Sequence, residues 1–434
     1  MSEDVYKRRR RRLAAQVGQG GIVILPAGTE KTRNRDVLYP FRQDSDFGYL
    51  TGFPEPDAFM VLKPGDEEAE YRLFCHPRDP EHEQWEGRRI GPDGAEGDFG
   101  AERAHPLDDL DQVLPALLEG VERVYYPLGR DAELDRRLTG WINRVRAKAR
   151  AGIRAPSQLG DLGEMVHEMR LFKSPEELEI MRRAANVTSD AHRNAMRRCR
   201  SSRNERELEA GLIFDFNLAG GSWAYPPIVA GGANACVLHY TENDQPLPGG
   251  ELLLIDAGAE IDGYAADITR TFPVDGRFSP AQAEVYQVVL DAQLAAIAAV
   301  QPGNDFDAPH RAALRVIVEG LVDLGLLRGE VDALIEEGTY RRFFMHRTGH
   351  WMGRDVHDVG SYKIDGRWRD LEPGMVLTIE PGIYIPADPD IPEQFRHIGI
   401  RIEDDLVVTR DGHENLTADT PKTLDEIEAW MAGE

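Results

Sequence analysis

Short apolar runs alternate with polar stretches through the first part of the chain. Gly21 to Leu25 (GIVIL) and Phe59 to Leu62 (FMVL) are continuously apolar and of strand length, the pattern of strands buried on both faces. Between them lies the polar and aromatic stretch Asn34 to Phe53. Val121 to Tyr126 predicts a further strand, and Glu86 to Gly100, rich in glycine and charge, predicts a loop. Helical patterns intervene, so an α/β domain is expected. The pattern breaks near residues 171–175. Ser174-Pro175-Glu176-Glu177 reads as a helix start, with serine able to cap, proline suited to the first helical position and Glu177 placed to close a capping box. A long amphipathic helix should run on to about Arg198. Ser279-Pro280-Ala281-Gln282 repeats the signature. The second half then alternates long helices with hairpin signals, which predicts an α+β domain over 173–434 behind an α/β domain over 1–172. There is no short-period repeat or low-complexity tract.

One hairpin can be placed in register from the sequence alone. In Leu252 to Phe272, LLLIDAGAEIDGYAADITRTF, Asp262-Gly263 is a strong two-residue turn signal. If Ile261 and Tyr264 flank it, Asp256 pairs opposite Thr269. Asp267 then lies two residues from that partner, so both aspartates face one side, diagonal neighbours about 7–8 Å apart. Asp256 also closes the wholly apolar run LLLI, where an unpaired carboxylate is costly.

The same anomaly recurs twice downstream. Met375 to Glu380 (MVLTIE) and Ile398 to Glu403 (IGIRIE) each end an apolar or alternating strand on a carboxylate, and strand period places Arg401 on the face of Glu403. Any one of these acids alone reads as a solvated strand end. Four in the same setting share a simpler cause, because buried carboxylates repel unless cations neutralise them. Two divalent ions carry the matching charge. A nitrogen ligand is available in FMHRTGHWMGRDVHDVG (344–360), which holds His346, His350 and His357 among glycines that argue against the helical H-E-x-x-H arrangement. Spacing does not choose among the three. An oxygen-rich site with one imidazole favours Mn²⁺, with Co²⁺, Fe²⁺ or Zn²⁺ also fitting. Bridging carboxylates would hold two ions roughly 3.5–4 Å apart and acidify a water between them to a hydroxide nucleophile.

Charge narrows the partners. Lysine and arginine total 51 against 76 aspartate and glutamate, a net charge of -25, which repels nucleic acid and anionic membranes. The basic run Lys7 to Arg12 is the exception and reads as a solvated helix face. No apolar run is long enough to span a bilayer, and no signal-peptide core stands at the N-terminus. The three cysteines, Cys75, Cys199 and Cys236, form no C-x-x-C pair, which favours a reduced, cytoplasmic chain.

The residues that carry this chemistry resemble those of Xaa-Pro aminopeptidase (aminopeptidase P), within the methionine aminopeptidase–prolidase superfamily. The resemblance rests on NRDVLYPFRQDSDFGYLTGFPEPDAF and EQWEGRRIG in the first half. In the second it rests on GGANACVLHY, LLIDAGAEIDGYAADITRTFP, HRTGHWMGRDVHDVG, LEPGMVLTIEPGIYI and IGIRIEDDLVVT. It implies a ribonuclease H-like N-terminal domain, a pita-bread catalytic domain, and a homodimer or homotetramer. It further implies that Asp256 binds one metal through both oxygens, that Asp267 and Glu403 bridge, and that His350 and Glu380 complete the other metal's shell. His239, His346 and His357 would hold the substrate carbonyl and the developing oxyanion. Glu380 would shuttle the proton, and Arg401 would stand beside the metals as a further catalytic residue; its plain reading is an ion pair with a ligand carboxylate, and the two roles are compatible. Arg347-Thr348-Gly349 departs from the family's usual Gly-Leu-Ser or Gly-Thr-Ser, which puts loop detail in question but not the ligand. The family also implies that the segment of Trp85 reaches a neighbouring subunit's active site; the plain alternative is a tryptophan packed in its own domain.

The implied substrate is a peptide with proline second. Proline removes a backbone N–H and fixes φ, and its tertiary amide must be held in one isomer. Tyr225, His357 and Tyr384 are the candidates for packing its ring. The nearest rival is a prolidase confined to Xaa-Pro dipeptides. A non-catalytic binding protein or a metal-free, creatinase-like hydrolase on the same fold is disfavoured, because all five ligands are kept.

Overall fold

The computed structural model describes residues 1–433 and divides into two compact units, Met1–Arg170 and the chain from Leu171 onward. The first unit is built on a six-stranded mixed sheet. Its strands lie in the order Arg103–Pro106, Tyr71–Cys75, Phe59–Leu62, Gly21–Pro26, Arg123–Tyr126, Gln158–Asp161. The run GIVIL shows why it is apolar throughout. Ile22 and Ile24 enter the core on one face with Leu114 and Trp141, while Val23 and Leu25 enter the other with Phe47 and Leu73.

Two expectations for this unit change. The segment expected as a loop contains the helix Gly91–Phe99, entered through Pro92 and closed by Gly100 in a left-handed conformation at φ 64°. Ala95 is fully buried and Phe99 meets Phe53 edge-on at 5.1 Å, so docking outweighs the cost of about 1 kcal/mol for each interior glycine. The basic run is only partly solvated. Arg9 and Arg10, on the helix Glu3–Val17, are buried. Their guanidiniums donate to the carbonyls of Tyr49 (2.9 Å) and Leu50 (3.0 Å) and lie over the rings of Tyr49 and Tyr71. Trp85 stands on the short helix Pro80–Glu86, which buries none of its residues; the ring is 88% exposed, so it is not packed in its own domain.

In the second unit both helix-start signatures form full capping boxes, Ser174 with Glu177 and Ser279 with Gln282. They open the helices Pro175–Cys199 and Pro280–Ala299. Glu205–Leu218 and Ala308–Asp323 complete the long helices. They cover small antiparallel sheets: Ile228–Gly231 with Leu252–Ala257 and Ile268–Pro273, Val376–Ile379 with Asp404–Val408 and His413–Asn415, and Gly382–Tyr384 with Gly399–Arg401. The expected hairpin register holds, with Asp256 opposite Thr269 and Ile261 opposite Tyr264. Asp262 and Gly263 turn it at φ 50° and 75°, both in the left-handed region a type I′ turn requires. No described helix is long and apolar enough to cross a membrane.

Candidate metal centre

The five expected ligands come from strand ends that this packing brings together. Asp256 lies in Leu252–Ala257, and Asp267 immediately precedes Ile268–Pro273. Glu380 follows Val376–Ile379, and Glu403 sits between Gly399–Arg401 and Asp404–Val408. His350 arrives on an irregular segment laid against Val376–Ile379. Thr378 N donates to the His350 carbonyl at 3.0 Å, and Glu380 N to that of Thr348 at 2.9 Å. A Cβ on Gly349 would stand 2.0 Å from the Thr378 carbonyl, so only glycine lets the segment come this close. All five side chains line one cavity of about 1010 Å³. Donor atoms of Asp267, His350 and Glu403 lie within 4.8 Å of one another. His350 Nε2 is 3.5 Å from Asp267 Oδ2 and 3.7 Å from Glu380 Oε1. Its Nδ1 is 3.0 Å from the Trp351 carbonyl. Donation there leaves Nε2 as the lone-pair nitrogen facing the acids.

Electrostatics supports a cation site. In the field of the protein alone, burial pushes the carboxyls of Asp256 and Glu403 up, and Asp267 adds repulsion to both. Burial raises Glu380 to about 7 against the pull of His350 and Arg401. Burial disfavours charge on His350 too, but Asp267 and Glu380 outweigh it and raise the imidazole to about 9. Acids so placed hold protons until positive charge reaches them. The donor set, hard oxygens with one imidazole, therefore fits divalent cations.

The substrate-side residues divide. His239 and His357 are exposed and line the cavity, and His357 meets His350 edge-on at 4.4 Å. His346 also lines it, but both its nitrogens are engaged, Nδ1 with the Arg347 carbonyl at 2.7 Å and Nε2 with Tyr384 Oη at 2.8 Å. Burial, reinforced by Arg401, lowers it to about 4, so it is neutral at pH 7. Arg401 is buried, lines the cavity and makes the expected ion pair: Nη2 donates to Asp256 Oδ2 at 2.6 Å, Nη1 to Tyr384 Oη at 2.9 Å and Nε to Thr269 Oγ1 at 3.2 Å. Tyr384 is buried and does not line the cavity, which removes it as a surface for proline; its hydroxyl joins Arg401 to His346.

Several residues here carry no chemical signal in the sequence strong enough to single them out. Tyr225, a candidate only for ring packing, places its hydroxyl on both aspartates, 2.6 Å from Asp256 Oδ1 and in contact with Asp267 Oδ1. Thr269 Oγ1 donates to Glu403 Oε2 at 2.6 Å. Arg270, fully buried, donates to the Glu403 carbonyl at 2.6 Å and pairs with Asp404 at 2.7 Å. The one available signal was the run Glu403-Asp404-Asp405 ahead of an apolar strand, which requires a buried cation somewhere.

Hard donors around one imidazole, at strand ends in an open cavity, define a metal-dependent hydrolase. The chain matches the family model of metallopeptidase family M24 over residues 179–410 and that of the aminopeptidase P N-terminal domain over 6–125. It is 46% identical to the Xaa-Pro aminopeptidase of Escherichia coli over 99% of this chain and 98% of that one. Among solved structures, the Pseudomonas aeruginosa aminopeptidase PepP matches with a TM-score of 0.98 and 53% identity, over 100% of this chain and 98% of that one. A zinc-substituted E. coli aminopeptidase P in complex with product matches at 0.97 and 46% identity, over 100% and 99%. The chain belongs to metallopeptidase family M24, in its Xaa-Pro aminopeptidase (aminopeptidase P) branch. Its second unit accordingly has the pita-bread fold behind an aminopeptidase P-type N-terminal domain.

Proposed function

We propose that this chain releases the N-terminal residue from peptides with proline second, using two divalent ions, Mn²⁺ by preference, held by Asp256, Asp267, His350, Glu380 and Glu403. The observation that carries this reading is the convergence of four strand-end carboxylates and one oriented imidazole on a single open cavity. Asp256, Asp267, His350, Glu380 and Glu403, all on the wall of that cavity, would hold the ions. When bound, the ions acidify a water for attack and polarise the scissile carbonyl.

The chain's own groups do the rest. Arg401 and Tyr225 hold Asp256 from both sides, which fixes its two oxygens. His239 and His357, on the cavity wall, hold the substrate carbonyl and the charge that develops on its oxygen. His346 supports Tyr384 and Arg401 in addition to its place on the wall. Glu380, on the cavity wall, takes the proton of the attacking water and delivers it to the departing proline nitrogen. The rings of Tyr225 and His357 are left to pack the proline. Exposed Trp85, on a helix with no buried side chain, supports an intersubunit role in a homodimer or homotetramer. Three free cysteines support a reducing, cytoplasmic setting.

The test is a paired assay of Xaa-Pro and Xaa-Pro-Yaa peptides in Mn²⁺ with metal content measured. Cleavage of the tripeptide with about two ions per chain is expected. Activity confined to the dipeptide would establish the prolidase reading instead, and chelator-insensitive activity would remove the metal from the reaction.

A further inference from the structure

A short hairpin on the cavity wall carries chemistry that the metal reading does not use. Lys363–Ile364 pairs with Arg367–Trp368 around Asp365-Gly366, whose φ angles of 51° and 77° make a type I′ turn. The register sets Lys363 directly opposite Trp368, and its Nζ lies 4.2 Å from the indole centroid. Arg347, from the segment of His346 and His350, brings its Cζ to 4.9 Å from the same ring. Lys363, Arg347 and Trp368 all line the substrate cavity.

The local charge is not balanced. Arg347 pairs with Asp307, but Asp307 also pairs with Arg311, which shares Asp305. Lys363 has no carboxylate within 4.0 Å among the described residues. Arg347 and Arg311 thus share Asp307, and Lys363 is left without an ion pair, in a chain whose net charge is -25. One part of the cavity is anionic, the ligand acids, and another is cationic on an aromatic base. A peptide with a free amino terminus at the acids carries its carboxylates downstream.

We infer that Lys363 and Arg347, seated on Trp368, form a carboxylate-binding subsite for the part of the peptide that follows proline. The inference rests on the peptidase reading above. The shared chemistry is a carboxylate, supplied by the C-terminus of a short peptide or by an Asp or Glu side chain after the proline. Exposed charge pairs of this kind change affinity by about three- to tenfold when two cations act together.

The experiment compares kcat/KM for Ala-Pro-Ala with a free and with an amidated C-terminus, and for Ala-Pro-Glu-amide with Ala-Pro-Gln-amide, in the Mn²⁺-loaded full chain. The acid forms are expected to be favoured about three- to tenfold, chiefly through KM, with the advantage shrinking at high salt. The first pair reads the terminal carboxylate and the second the side chain. Lys363→Gln should lower the preference and Lys363→Gln with Arg347→Gln should abolish it. Asp307 keeps Arg311 in that variant, so no acid is orphaned. Equal rates for acid and amide in both pairs, or a preference that survives the double substitution, would overturn the subsite alone. Failure to cleave any of the four peptides would overturn the peptidase reading and the subsite with it.

Discussion

Replacing Arg270 with methionine should loosen the metal centre without touching a ligand. The guanidinium uses all five N–H groups: Nε on the Pro421 carbonyl (3.0 Å), Nη1 on the carbonyls of Thr269 (2.9 Å) and Glu403 (2.6 Å), Nη2 on Asp404 Oδ1 (2.7 Å) and the Thr420 carbonyl (3.1 Å). It therefore ties the strand that follows Asp267 to the peptide that carries Glu403. Arg270 and Asp404 are both fully buried, and removing one partner of such a pair costs about 3–5 kcal/mol. Asp404 keeps Lys422 at 2.6 Å, Gln293 at 2.8 Å and Asn415 at 3.0 Å, so its charge is not orphaned and the lower end applies. Burial would raise this carboxyl, yet Arg270 and Lys422 hold it well below the usual range. Methionine refills the aliphatic stem but leaves the carbonyls of Glu403, Thr420 and Pro421 short of a donor, while that of Thr269 keeps Glu403 N at 3.0 Å, so about 3–4 kcal/mol is expected in all. With a urea slope of about 3 kcal/mol/M, the midpoint of the catalytic unit falls by about 1 M at unchanged slope. Losing a group that orients a ligand should also weaken Mn²⁺ binding by about 10- to 100-fold, read by titration calorimetry. A loss under about 1 kcal/mol with unchanged Mn²⁺ affinity would refute the reasoning.

Glu403→Gln keeps the shape and removes one charge, so metal loss or a large fall in kcat is expected; unchanged metal content and rate together would contradict its bridging assignment. Asp46, bound by Arg170 at 2.7 Å and His167 at 3.2 Å, titrates at about 2 despite burial that acts to raise it. Its folded pKa is below the unfolded value of about 3.9, so its contribution, about 2–3 kcal/mol, is full above that pH and lost as pH falls through 2. Asp46→Asn should lower stability at pH 7 by that amount and flatten the acid limb between about pH 4 and 2 in denaturation curves; an unchanged limb would show the pair to be neutral. Trp85→Ala should leave chain stability within about 0.5 kcal/mol while changing activity and the molar mass in light scattering; identical mass and rate would end the intersubunit role.

The residues explain what the sequence made legible. Strand period and a single turn were enough to place Asp256 opposite Thr269, because a two-residue type I′ turn fixes the register of the strands it joins. Both capping boxes were equally local. The helix Gly91–Phe99 was not legible, since its glycines argue against helix and only the docking of Ala95 and Phe99 overrides them. Arg9 and Arg10 look like surface charge until Tyr49 and Tyr71, distant in sequence, come to rest under them. The same distance hid the acid-bridging hydroxyl of Tyr225 and the clamp of Arg270, whose partners lie 31 and 134 residues away. Tyr384 was misjudged for a related reason: an aromatic near the acids says nothing of which way its ring faces.

The hairpin around Asp262-Gly263 has a consequence for how this gene can change. Surface turns commonly accept added or deleted residues. Here the two ladders keep one register from Leu252 to Pro273, and the acids sit on opposite strands. One codon gained or lost within the paired strands between them would turn Asp267 to the other face and carry it out of reach of Asp256. Substitutions that respect the turn can drift, but the count of residues cannot. The spacing of the two acids is written in the length of the strands between them, and a frame-preserving indel there is as disabling as losing a ligand.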